Sequence, residues 1–558
     1  MEGTTRTSPP GTEDHTESET PASPGVSARA GRPAQSGGPC PLCEYEAWAY
    51  LFVSHGVPVY RCTKCGLTRL YPQPTRAEVL AFYANSTGHD PFADDAHLPD
   101  SVTEQEAAKA YVRVLQRRGP PGPSVLLVAP AGHPFAGIAS SHGYEIETFL
   151  TMQELSRSRL APERYDSAVV ILELEKADSP IAALEQIHGA LKPDGKLLLV
   201  TASMDSWSAR FFGNQWPGWR PENLYYLDSQ TIQAALVRSG FAGIEVRRDR
   251  RRYTLEHVYQ RARAYPRTGL TRLVQAIHRV VLAPLRRVRL GLTSSAIVVT
   301  ARRVERRPRP LLSIVMPVYN EASTFATAME AVVSKKLQGV DKEIIVVESN
   351  STDGTRELVL GYQDHPGVKV VLEDRPRGKG HAVRAGFEHA SGDFIMVQDA
   401  DLEYDVNDYD ALIEPLKRSE RAFVLGSRHV GNWKIRKFTD QLAVGTLFNL
   451  GHLVFAGLLN LLYRQRLRDP FTMYKVFRRD CLHGLTFECN RFDFDYELVI
   501  KLVRKGYVPL EIPVNYQSRS LKEGKKVSVL RDPLTWIWAL IKFRFSPLYP
   551  TSDGRERR

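Results

Sequence analysis

Residues 311–321 read LLSIVMPVYNE, and this stretch decides the fold of the C-terminal half of the chain. An apolar run reaches a proline there, which is typical of a buried strand that ends abruptly. Two more apolar runs follow, KEIIVVESNSTDGT at 342–355 and DFIMVQDADLEYD at 393–405, with helical patterns between them. Strands that alternate with helices favour a parallel sheet covered by helices. We therefore predict an α/β domain over residues 311–530.

Polar side chains follow each of these strands at its carboxyl end, the edge at which α/β sheets bind ligands. Tyr319 and Glu321 follow the first strand, and Glu348 followed by a capped helix start ends the second. The third strand ends in alternating carboxylates: Asp399, Asp401 and Glu403. Alternate residues of an extended chain face the same side, so these carboxylates could together bind Mg²⁺ or Mn²⁺. Such a metal ion bridges a diphosphate and stabilises it as a leaving group. Taken one at a time, Tyr319 could be a packed aromatic and the acidic residues could belong to turns.

The rest of the chain divides by composition. Residues 100–303 also alternate apolar strands with helical stretches, which indicates a second α/β domain with a parallel sheet. Residues 304–310 are rich in arginine and proline, as in a solvated linker, and residues 1–38 lack the apolar content needed for folding. Residues 531–558 form a basic aromatic end.

Two Cys-x-x-Cys pairs lie in residues 39–75, between short alternating aromatic and β-branched runs. The four thiols are Cys40, Cys43, Cys62 and Cys65. Four thiolates at this spacing close a tetrahedral Zn²⁺ site with no open position, which predicts structural rather than catalytic zinc. Cys481 and Cys489 have no such partner motif and are expected to be packing residues.

The overall composition limits the class of protein and its partners. In 558 residues, 43% are hydrophobic and 25% charged, which excludes a collagenous, coiled-coil or wholly disordered chain. A formal charge of +11 favours anionic partners such as nucleotides or phospholipid head groups. Few cysteines and no secretory signal favour the cytosol. The apolar stretch 442–463 is interrupted by polar residues and is not expected to span a membrane.

The order of zinc ribbon, CGLTRLYPQPT and the segment YDSAVVILELEKADSPIAALEQIHGALKPDGKLLLVT resembles class I methyltransferases with an N-terminal zinc ribbon, over residues 39–300. That resemblance implies a Rossmann-like fold and S-adenosylmethionine as cofactor. In that family, acidic residues at the ends of the first two strands bind the cofactor. Here Leu127 and Leu150 stand at those two positions, so the cofactor-binding residues are altered. Three further residues replace most of the glycine turn: Ala129, Pro130 and Ala131. Glu175-Lys176 replaces a Glu-His pair, and Asn223 replaces a histidine. A retained fold without methyl transfer and a divergent active site both remain open.

The C-terminal motifs together resemble family 2 glycosyltransferases of the GT-A fold, specifically dolichyl- or polyprenyl-phosphate sugar transferases. The matching segments are PVYNE, ESNSTDGT, RGKGHAVRAGF, DADLEYD, GSR at 426–428, DPFTMYKVFRRD and FDFDYELVIKLVRKGYVPLEIPVNYQSRSLKEGKK. The resemblance implies a nucleotide-sugar site made by Pro317, Tyr319, Glu321, Glu348, Asp353, Lys379 and Asp399. It implies a metal site of Asp399, Asp401 and Glu403.

The same resemblance assigns the acceptor end. Arg428 and Arg436 fall where the family meets the acceptor phosphate, and Arg519 with Lys525 falls where a loop closes over the diphosphate. A polyprenyl phosphate is already an anion, so its attack needs positioning and charge compensation more than a strong base. If a catalytic base exists, Asp469 is the candidate. Asp401 and Arg428 are the other two predicted catalytic residues. Glu348-Ser349, where many relatives carry two aspartates, and Met473, in place of a glycine, leave the nucleotide and acceptor open.

The predicted function is thus an inverting, metal-dependent sugar transfer from a nucleotide diphosphate to a lipid phosphate at the cytoplasmic membrane face. Apolar and aromatic residues with basic neighbours in 438–463 and 531–550 favour peripheral contact with an anionic membrane, with core packing as the alternative. A bifunctional transferase that also methylates a glycan and a non-catalytic docking role for residues 39–300 are the other two hypotheses. Nucleic acid is a less favoured partner, because the sequence shows no set of aromatic residues that would stack on bases.

Overall fold

A computed structural model describes most of the chain beyond the N-terminal tail. The described residues are 38–54, 56–75, 77–79, 102–116, 122–216, 218–254, 276–281, 288–305, 307–428, 442–517 and 531–548. They belong to one compact unit and contain three β-sheets.

The first sheet is small and antiparallel and carries the cysteine pairs. Its strands are β1 (Trp48–Ser54), β2 (Val57–Cys62) and β3 (Thr68–Leu70), as the alternating pattern predicted. A fourth strand, β8 (Tyr225–Tyr226), comes from much later in the chain and pairs with β3. A cluster with Trp216 and Trp219 fills one side of this sheet.

The second sheet has the order β5-β4-β6-β7-β10-β9. Its strands are β4 (Ser124–Val128), β5 (Glu145–Phe149), β6 (Tyr165–Ile171), β7 (Leu191–Ala202), β9 (Phe241–Thr254) and β10 (Arg289–Arg303). The first four are parallel, but β10 runs antiparallel to both β7 and β9. The predicted parallel sheet is thus mixed at this edge, where the sequence could not show strand direction, because an apolar run such as that in β10 carries no sign of it.

Helices cover both faces of the second sheet, and each face has its own hydrophobic cluster. They are α1 (Val102–Gln116), α2 (Phe135–Ser140), α3 (Met152–Arg157), α4 (Pro180–Ala190), α5 (Trp207–Phe212) and α6 (Ser229–Arg238). The sequence sets their starts. Ser179 caps the helix that has Pro180 in its first turn, and Asp228 with Thr231 forms a capping box.

The third sheet has seven strands in the order β13-β12-β11-β14-β16-β15-β17. They are β11 (Leu311–Val318), β12 (Asp341–Glu348), β13 (Val368–Leu372), β14 (Phe394–Val397), β15 (Phe423–Ser427), β16 (Lys475–Arg478) and β17 (Leu510–Pro513). The predicted strands β11, β12 and β14 and the further strand β13 are parallel neighbours, so their carboxyl ends share one edge. β16 runs antiparallel between β14 and β15.

The helices of this region lie on both faces of the third sheet. They are α7 (Phe325–Ser334), α8 (Thr355–Leu360), α9 (Lys379–His389), α10 (Tyr409–Lys417), α11 (Leu442–Tyr463), α12 (Phe494–Arg504) and α13 (Arg531–Phe545). α9 packs very closely on β11, because a Cβ on Gly386 would come within 2.3 Å of Val315 Cγ1. This contact fixes Lys379, at the start of α9, above the shared strand edge.

The three sheets are joined by specific contacts. Lys64, between the second pair of cysteines, donates to Glu420 at 3.0 Å, and Arg238 of α6 donates to the Leu42 carbonyl at 2.7 Å. The buried Gln233 amide donates to the Lys505 carbonyl at 2.9 Å. A Cβ on Gly506 would lie 2.3 Å from that same amide. The cysteine module therefore contacts a helix that covers the second sheet and a loop that precedes a strand of the third.

α11 and α13 pack against each other and present apolar side chains outward. Phe455 and Leu459 of α11 point into the core, whereas Leu461 is 77% exposed. The exposed apolar residues of the two helices are Leu450, Leu453, Val454, Leu458, Leu461, Ile537, Trp538, Ile541 and Phe545; we call them the apolar face. Among the described helices, none has the length and hydropathy to cross a bilayer.

Candidate active site

The turn after β11 is tied to the loop after β12 by paired hydrogen bonds. Asn320 takes a left-handed conformation with φ of 49°; its N–H donates to Ser351 Oγ at 2.9 Å and its side chain accepts from the Thr352 N–H at 2.9 Å. Asp353 accepts from the Ala322 N–H at 3.1 Å. Pro317, Tyr319 and Glu321 lie half-buried along this turn. Two strand ends that are far apart in sequence thus form one rigid rim.

Glu348 ends β12 and is completely buried. One of its oxygens accepts from the Ser351 N–H at 2.6 Å, and the other lies 3.5 Å from Arg356 Nε. Beside it, Ser349 donates to Glu373 at 2.6 Å, and Glu373 also contacts His381. The carboxylate at this strand end is therefore held in place within a polar network.

Lys379 and Asp399 form the centre of the shared edge. Lys379 Nζ donates to the Asp399 carboxylate at 2.7 Å, and both side chains remain partly exposed. Burial opposes the charge on Lys379, but the carboxylates of Asp399, Asp495 and Asp401 outweigh it and raise the pKa of the amine above its usual value. A fixed cation therefore stands beside a carboxylate at the mouth of the sheet.

Asp401 and Glu403 do not continue the strand as predicted. β14 ends at Val397, and the chain turns at Leu402, where φ is 57°. Asp401 accepts from the Glu403 N–H at 3.2 Å, while the Glu403 carboxylate accepts from the Tyr516 hydroxyl at 2.9 Å. Because of this turn, the three predicted metal carboxylates do not meet in a single cluster: in the part of the chain described, only the four cysteines bring three or more such ligand atoms within 4.8 Å of one another.

Two charged residues beside Lys379 were not predicted from sequence. Lys475 of β16 is 1% exposed and donates to Asp495 at 2.9 Å, and burial lowers the pKa of its amine. Met473 Sδ lies 3.2 Å from Lys379 Nζ. Lys475 and Asp495 stand inside the recognised segments DPFTMYKVFRRD and FDFDYELV, so the motifs contained them. Only the fold shows that they face Lys379.

Arg428 and Asp469, predicted at the acceptor end, form a buried ion pair. The Arg428 guanidinium donates to both oxygens of Asp469 at 2.8 and 2.7 Å, and the Arg428 N–H adds a third bond at 2.9 Å. Burial favours the neutral acid, but Arg428 outweighs it and holds the pKa of the Asp469 carboxyl well below its usual range. A carboxylate with so low a pKa is a weak proton acceptor. Arg436, Arg519 and Lys525 lie outside the described residues.

The four cysteine sulfurs converge as their spacing predicted. Cys40 Sγ lies 3.5 Å from Cys65 Sγ, and Cys43 Sγ lies 3.5 Å from Cys62 Sγ. Zn–S bonds of about 2.3 Å in a tetrahedron place sulfurs about 3.8 Å apart, close to these separations. The cluster can hold a tetrahedral metal ion. Cys481 and Cys489 are buried and outside it, as expected for packing residues.

The residues at the strand ends of the second sheet do not fit S-adenosylmethionine. Leu127 is buried, and Leu150 is half exposed after β5, where its N–H donates to Glu154 at 2.7 Å. Glu147, the nearest carboxylate, pairs with Arg164 at 2.5 Å. Neither strand end offers the free carboxylate that the methyltransferase resemblance implies.

Comparison with protein families divides the chain in the same way. Residues 313–485 match the family model "Glycosyl transferase family 2", and residues 77–246 match the model "Methyltransferase domain". The chain thus carries a family 2 glycosyltransferase domain, preceded by a methyltransferase-like domain.

Curated relatives named as glycosyltransferases match part of the chain. One is the dolichol-phosphate mannosyltransferase of Pyrococcus furiosus, 28% identical over 235 residues, or 42% of this chain and 64% of the relative. Another is glycosyltransferase AglD of Haloferax volcanii, 29% identical over 42% of this chain and 38% of the relative. A third is dolichyl-phosphate beta-glucosyltransferase ALG5C of Trichomonas vaginalis, 26% identical over 42% of this chain and 71% of the relative. The match therefore spans less than two thirds of the first two relatives.

Solved structures of sugar transferases also align with the chain. Glucosyl-3-phosphoglycerate synthase from Mycobacterium tuberculosis, in complex with Mn²⁺, UDP-glucose and phosphoglyceric acid, aligns at a TM-score of 0.31 and 23% identity, over 44% of this chain and 81% of that one. The mannosyltransferase PcManGT from Pyrobaculum calidifontis, in complex with GDP-mannose and Mn²⁺, aligns at 0.28 and 22%, over 37% and 55%.

Proposed function

We propose that this protein, whose residues 313–485 form a family 2 glycosyltransferase domain, transfers a sugar with inversion from a nucleotide diphosphate sugar to a polyprenyl or dolichyl phosphate. The observation that carries the proposal is the pairing of Lys379 with Asp399 at 2.7 Å, at the edge where β11, β12 and β14 end together. A nucleotide diphosphate sugar needs cationic and carboxylate groups side by side. The cationic groups contact its anionic phosphates, and the carboxylates hold the metal cation that binds them.

The donor site is proposed along the rim formed by the first two strand ends. Residues toward the nucleoside are Pro317, Tyr319, Glu321, Glu348 and Asp353. The buried Glu348 is held by the Ser351 N–H and is oriented before any ligand arrives, so little ordering cost remains on binding. Lys379 is placed to contact phosphate oxygens with a full positive charge.

A divalent cation is proposed at the end of β14, where the donor chemistry of the side chains fits it. The carboxylates of Asp399 and Asp401 are hard oxygen ligands of the kind that Mg²⁺ and Mn²⁺ prefer. When bound, the metal supplies charge neutralisation to a departing nucleoside diphosphate. Glu403 is proposed to lie near the metal without being a main ligand, because its carboxylate already accepts a hydrogen bond from the Tyr516 hydroxyl.

At the acceptor end, Arg428 and Asp469 are proposed as a positioning pair, not as a base and a free phosphate ligand. Each oxygen of Asp469 is occupied by Arg428, so a proton moved to this carboxylate would break a buried ion pair. A phosphate acceptor is already ionised at neutral pH and needs no such transfer. Arg436, Arg519 and Lys525 remain proposed contacts to phosphate.

The lipid nature of the acceptor is supported by the names of two relatives, a dolichol-phosphate mannosyltransferase and a dolichyl-phosphate glucosyltransferase. It is also supported by the apolar face, where Leu461 and Phe545 are 77% and 82% exposed. Exposed arginines border this face at Arg464 and Arg544. Apolar side chains bordered by cations suit the surface of an anionic membrane, and we propose that the protein binds there peripherally, on the cytoplasmic side.

The methyltransferase-like domain is proposed as a non-catalytic module that docks on the transferase, with structural Zn²⁺ in the cysteine cluster. The buried bond from Gln233 to the Lys505 carbonyl supports a fixed arrangement of the two domains. The alternative, a second activity that methylates a glycan, is favoured only by the match to the methyltransferase family. Calorimetry with S-adenosylmethionine decides between them, and saturable heat of binding would favour the second activity.

The proposed function is tested with a panel of nucleotide sugars, Mn²⁺ and polyprenyl phosphate. We expect the purified full chain to consume one guanosine or uridine diphosphate sugar only when the lipid phosphate is present. Chromatography of the nucleotides identifies the donor. If no member of the panel is consumed above the rate without protein, the proposal is wrong.

A further inference from the structure

A second cleft, of about 600 Å³, lies between the methyltransferase-like domain and the glycosyltransferase domain. One wall is formed by β9 and β10, the turn after β7 and the starts of α5 and α6. The other is formed by the ends of α11, α12 and α13 and the turns that follow α11 and α12. None of the residues proposed for the donor site lines it. Small-molecule sites commonly measure about 300–1,000 Å³, so the cleft is large enough for more than a single ion.

The charge of this cleft is strongly positive. Five arginines from both domains line it: Arg210, Arg248, Arg464, Arg504 and Arg544. Its two carboxylates, Asp205 and Asp228, are already committed within the protein. Asp205 accepts from the Ser229 N–H at 2.7 Å and contacts Arg210 at 3.5 Å, and Asp228 caps α6 through the Thr231 N–H at 2.8 Å.

Within the described residues, Arg210 is the one arginine of the five that pairs with a carboxylate. Within the described ranges, Arg248, Arg464 and Arg544 form no ion pair or hydrogen bond with another side chain. Arginine near the end of a helix can serve the helix dipole, which could account for Arg464 after α11 and Arg544 in the last turn of α13. It does not account for Arg248, which lies on β9 in the opposite wall.

The arginines also stand close enough to repel one another. The Arg504 guanidinium donates to the Phe543 carbonyl of α13, which keeps it near Arg544. Burial lowers the pKa of Arg504, and the positive charge of Arg544 lowers it further. Like charges held together by the fold cost free energy unless an anion lies between them.

We propose that this cleft binds a phosphate-bearing anion, either a diphosphate or a phosphate ester, between Arg248 on one wall and Arg464 and Arg544 on the other. Guanidinium groups offer paired N–H donors that match phosphate oxygens. Trp207 lines the same cleft and is 51% exposed, so an organic part of the ligand has an aromatic surface to contact. This site is separate from the donor site and does not depend on the proposed transfer reaction.

The phosphate could belong to a soluble molecule or to a lipid head group. Arg544 is on α13, whose outer surface carries Ile541 and Phe545 of the apolar face, so a lipid held at that face would bring its head group toward the cleft. A soluble phosphate would enter without a membrane.

The test compares the full chain with the double variant Arg248→Gln/Arg544→Gln, using inorganic pyrophosphate without divalent cations in calorimetry. Both side chains are exposed, so the variant is expected to fold, which thermal unfolding checks. We expect its pyrophosphate affinity to fall at least tenfold, because two charge-assisted hydrogen bonds are lost. Arg418→Gln removes one such charge just after α10, outside the cleft, and should leave the affinity within twofold.

A second arm measures sedimentation with phosphatidylcholine vesicles with and without phosphatidylglycerol. One outcome is that the wild type sediments only with the vesicles that contain phosphatidylglycerol, and the double variant with neither kind. If the wild type also fails to bind pyrophosphate, this result supports the site with a lipid head group as its ligand. A drop in pyrophosphate affinity in Lys379→Gln alone would assign the binding to the donor site and overturn the proposal. Equal behaviour of the double variant and wild type in both arms would also overturn it.

Discussion

The charged side chains around the proposed transfer site are paired before any ligand binds. Lys379 holds Asp399, Lys475 holds Asp495, and Arg428 holds Asp469. Groups fixed in this way act by position and charge, which suits a reaction whose nucleophile is already an anion. Among these pairs, the bond between Arg428 and Asp469 is the most deeply buried, so it offers the clearest test at the scale of residues.

Asp469→Asn is expected to destabilise the protein by about 3–5 kcal/mol, because Arg428 would remain buried without its counter-charge. Asp374→Asn removes an exposed partner of Arg377 and is expected to change stability far less, because solvent screens a surface ion pair. Urea unfolding at neutral pH measures both. Equal effects of the two substitutions would contradict the burial argument.

The same pair sets a pH dependence. The folded state lowers the pKa of Asp469 below its unfolded value of about 3.9, so this pair stabilises the protein fully above that pH. The contribution declines as the pH falls from there toward the folded pKa. The difference in unfolding free energy between wild type and Asp469→Asn should therefore shrink in acid, and a constant difference would show that the charge is not responsible.

The sequence predicted which polar residues follow the strand ends, but it did not predict how their side chains are arranged. The strand ends placed Glu348, Asp399 and Tyr319 at one edge, since parallel strands must end together. The pattern of alternating carboxylates could not reveal the left-handed turn at Leu402, which separates Asp401 from Glu403. Lys475 and Asp495 come from parts of the chain far from Lys379, and no local pattern relates them.

At the scale of elements, the close packing of α9 on β11 determines where Lys379 stands. Gly386→Ala is expected to destabilise the fold by about 1–3 kcal/mol, because its Cβ would overlap Val315. Gly451→Ala in α11 meets nothing within 4 Å and is expected to be neutral or to stabilise by up to about 1 kcal/mol, since alanine favours helix. Thermal unfolding compares the two, and a neutral Gly386→Ala would contradict the predicted overlap.

α11 and α13 together form the apolar face that we propose for membrane contact. Ile541→Glu places a charge on this face and is expected to reduce sedimentation with anionic vesicles several-fold, because burying a charge among lipid chains is costly. Leu358→Glu, at another exposed apolar position on α8, is the matched control and should bind as wild type does. If both variants sediment with vesicles as well as wild type, the face has another role.

Element type was predictable because apolar runs and cap residues are local. The strands β11, β12 and β14 appear where the apolar runs predicted them. Direction and partner are not local properties. For that reason β10 is antiparallel against expectation, and β8 completes the small cysteine sheet from a distant part of the chain.

At the scale of the whole molecule, the cysteine module contacts both larger domains through Lys64 and Arg238. We expect one equivalent of zinc per chain in the full protein. Cys62→Ser should abolish it and lower the unfolding midpoint, because structural zinc contributes binding free energy to folding. Cys489→Ser, a buried cysteine outside the cluster, should keep the zinc. Full metal content in Cys62→Ser, measured by atomic absorption, would refute the assignment.

The most direct test of the central claim is the product made from the accepted nucleotide sugar, Mn²⁺ and polyprenyl phosphate. Mass spectrometry should find one sugar on the lipid phosphate for each nucleoside diphosphate released. Asp401→Ala should lower this rate at least about 100-fold, as loss of a transition-state charge partner does. The exposed Asp364→Ala should leave it unchanged. Transfer by Asp401→Ala at the wild-type rate would contradict a metal-assisted reaction at the end of β14.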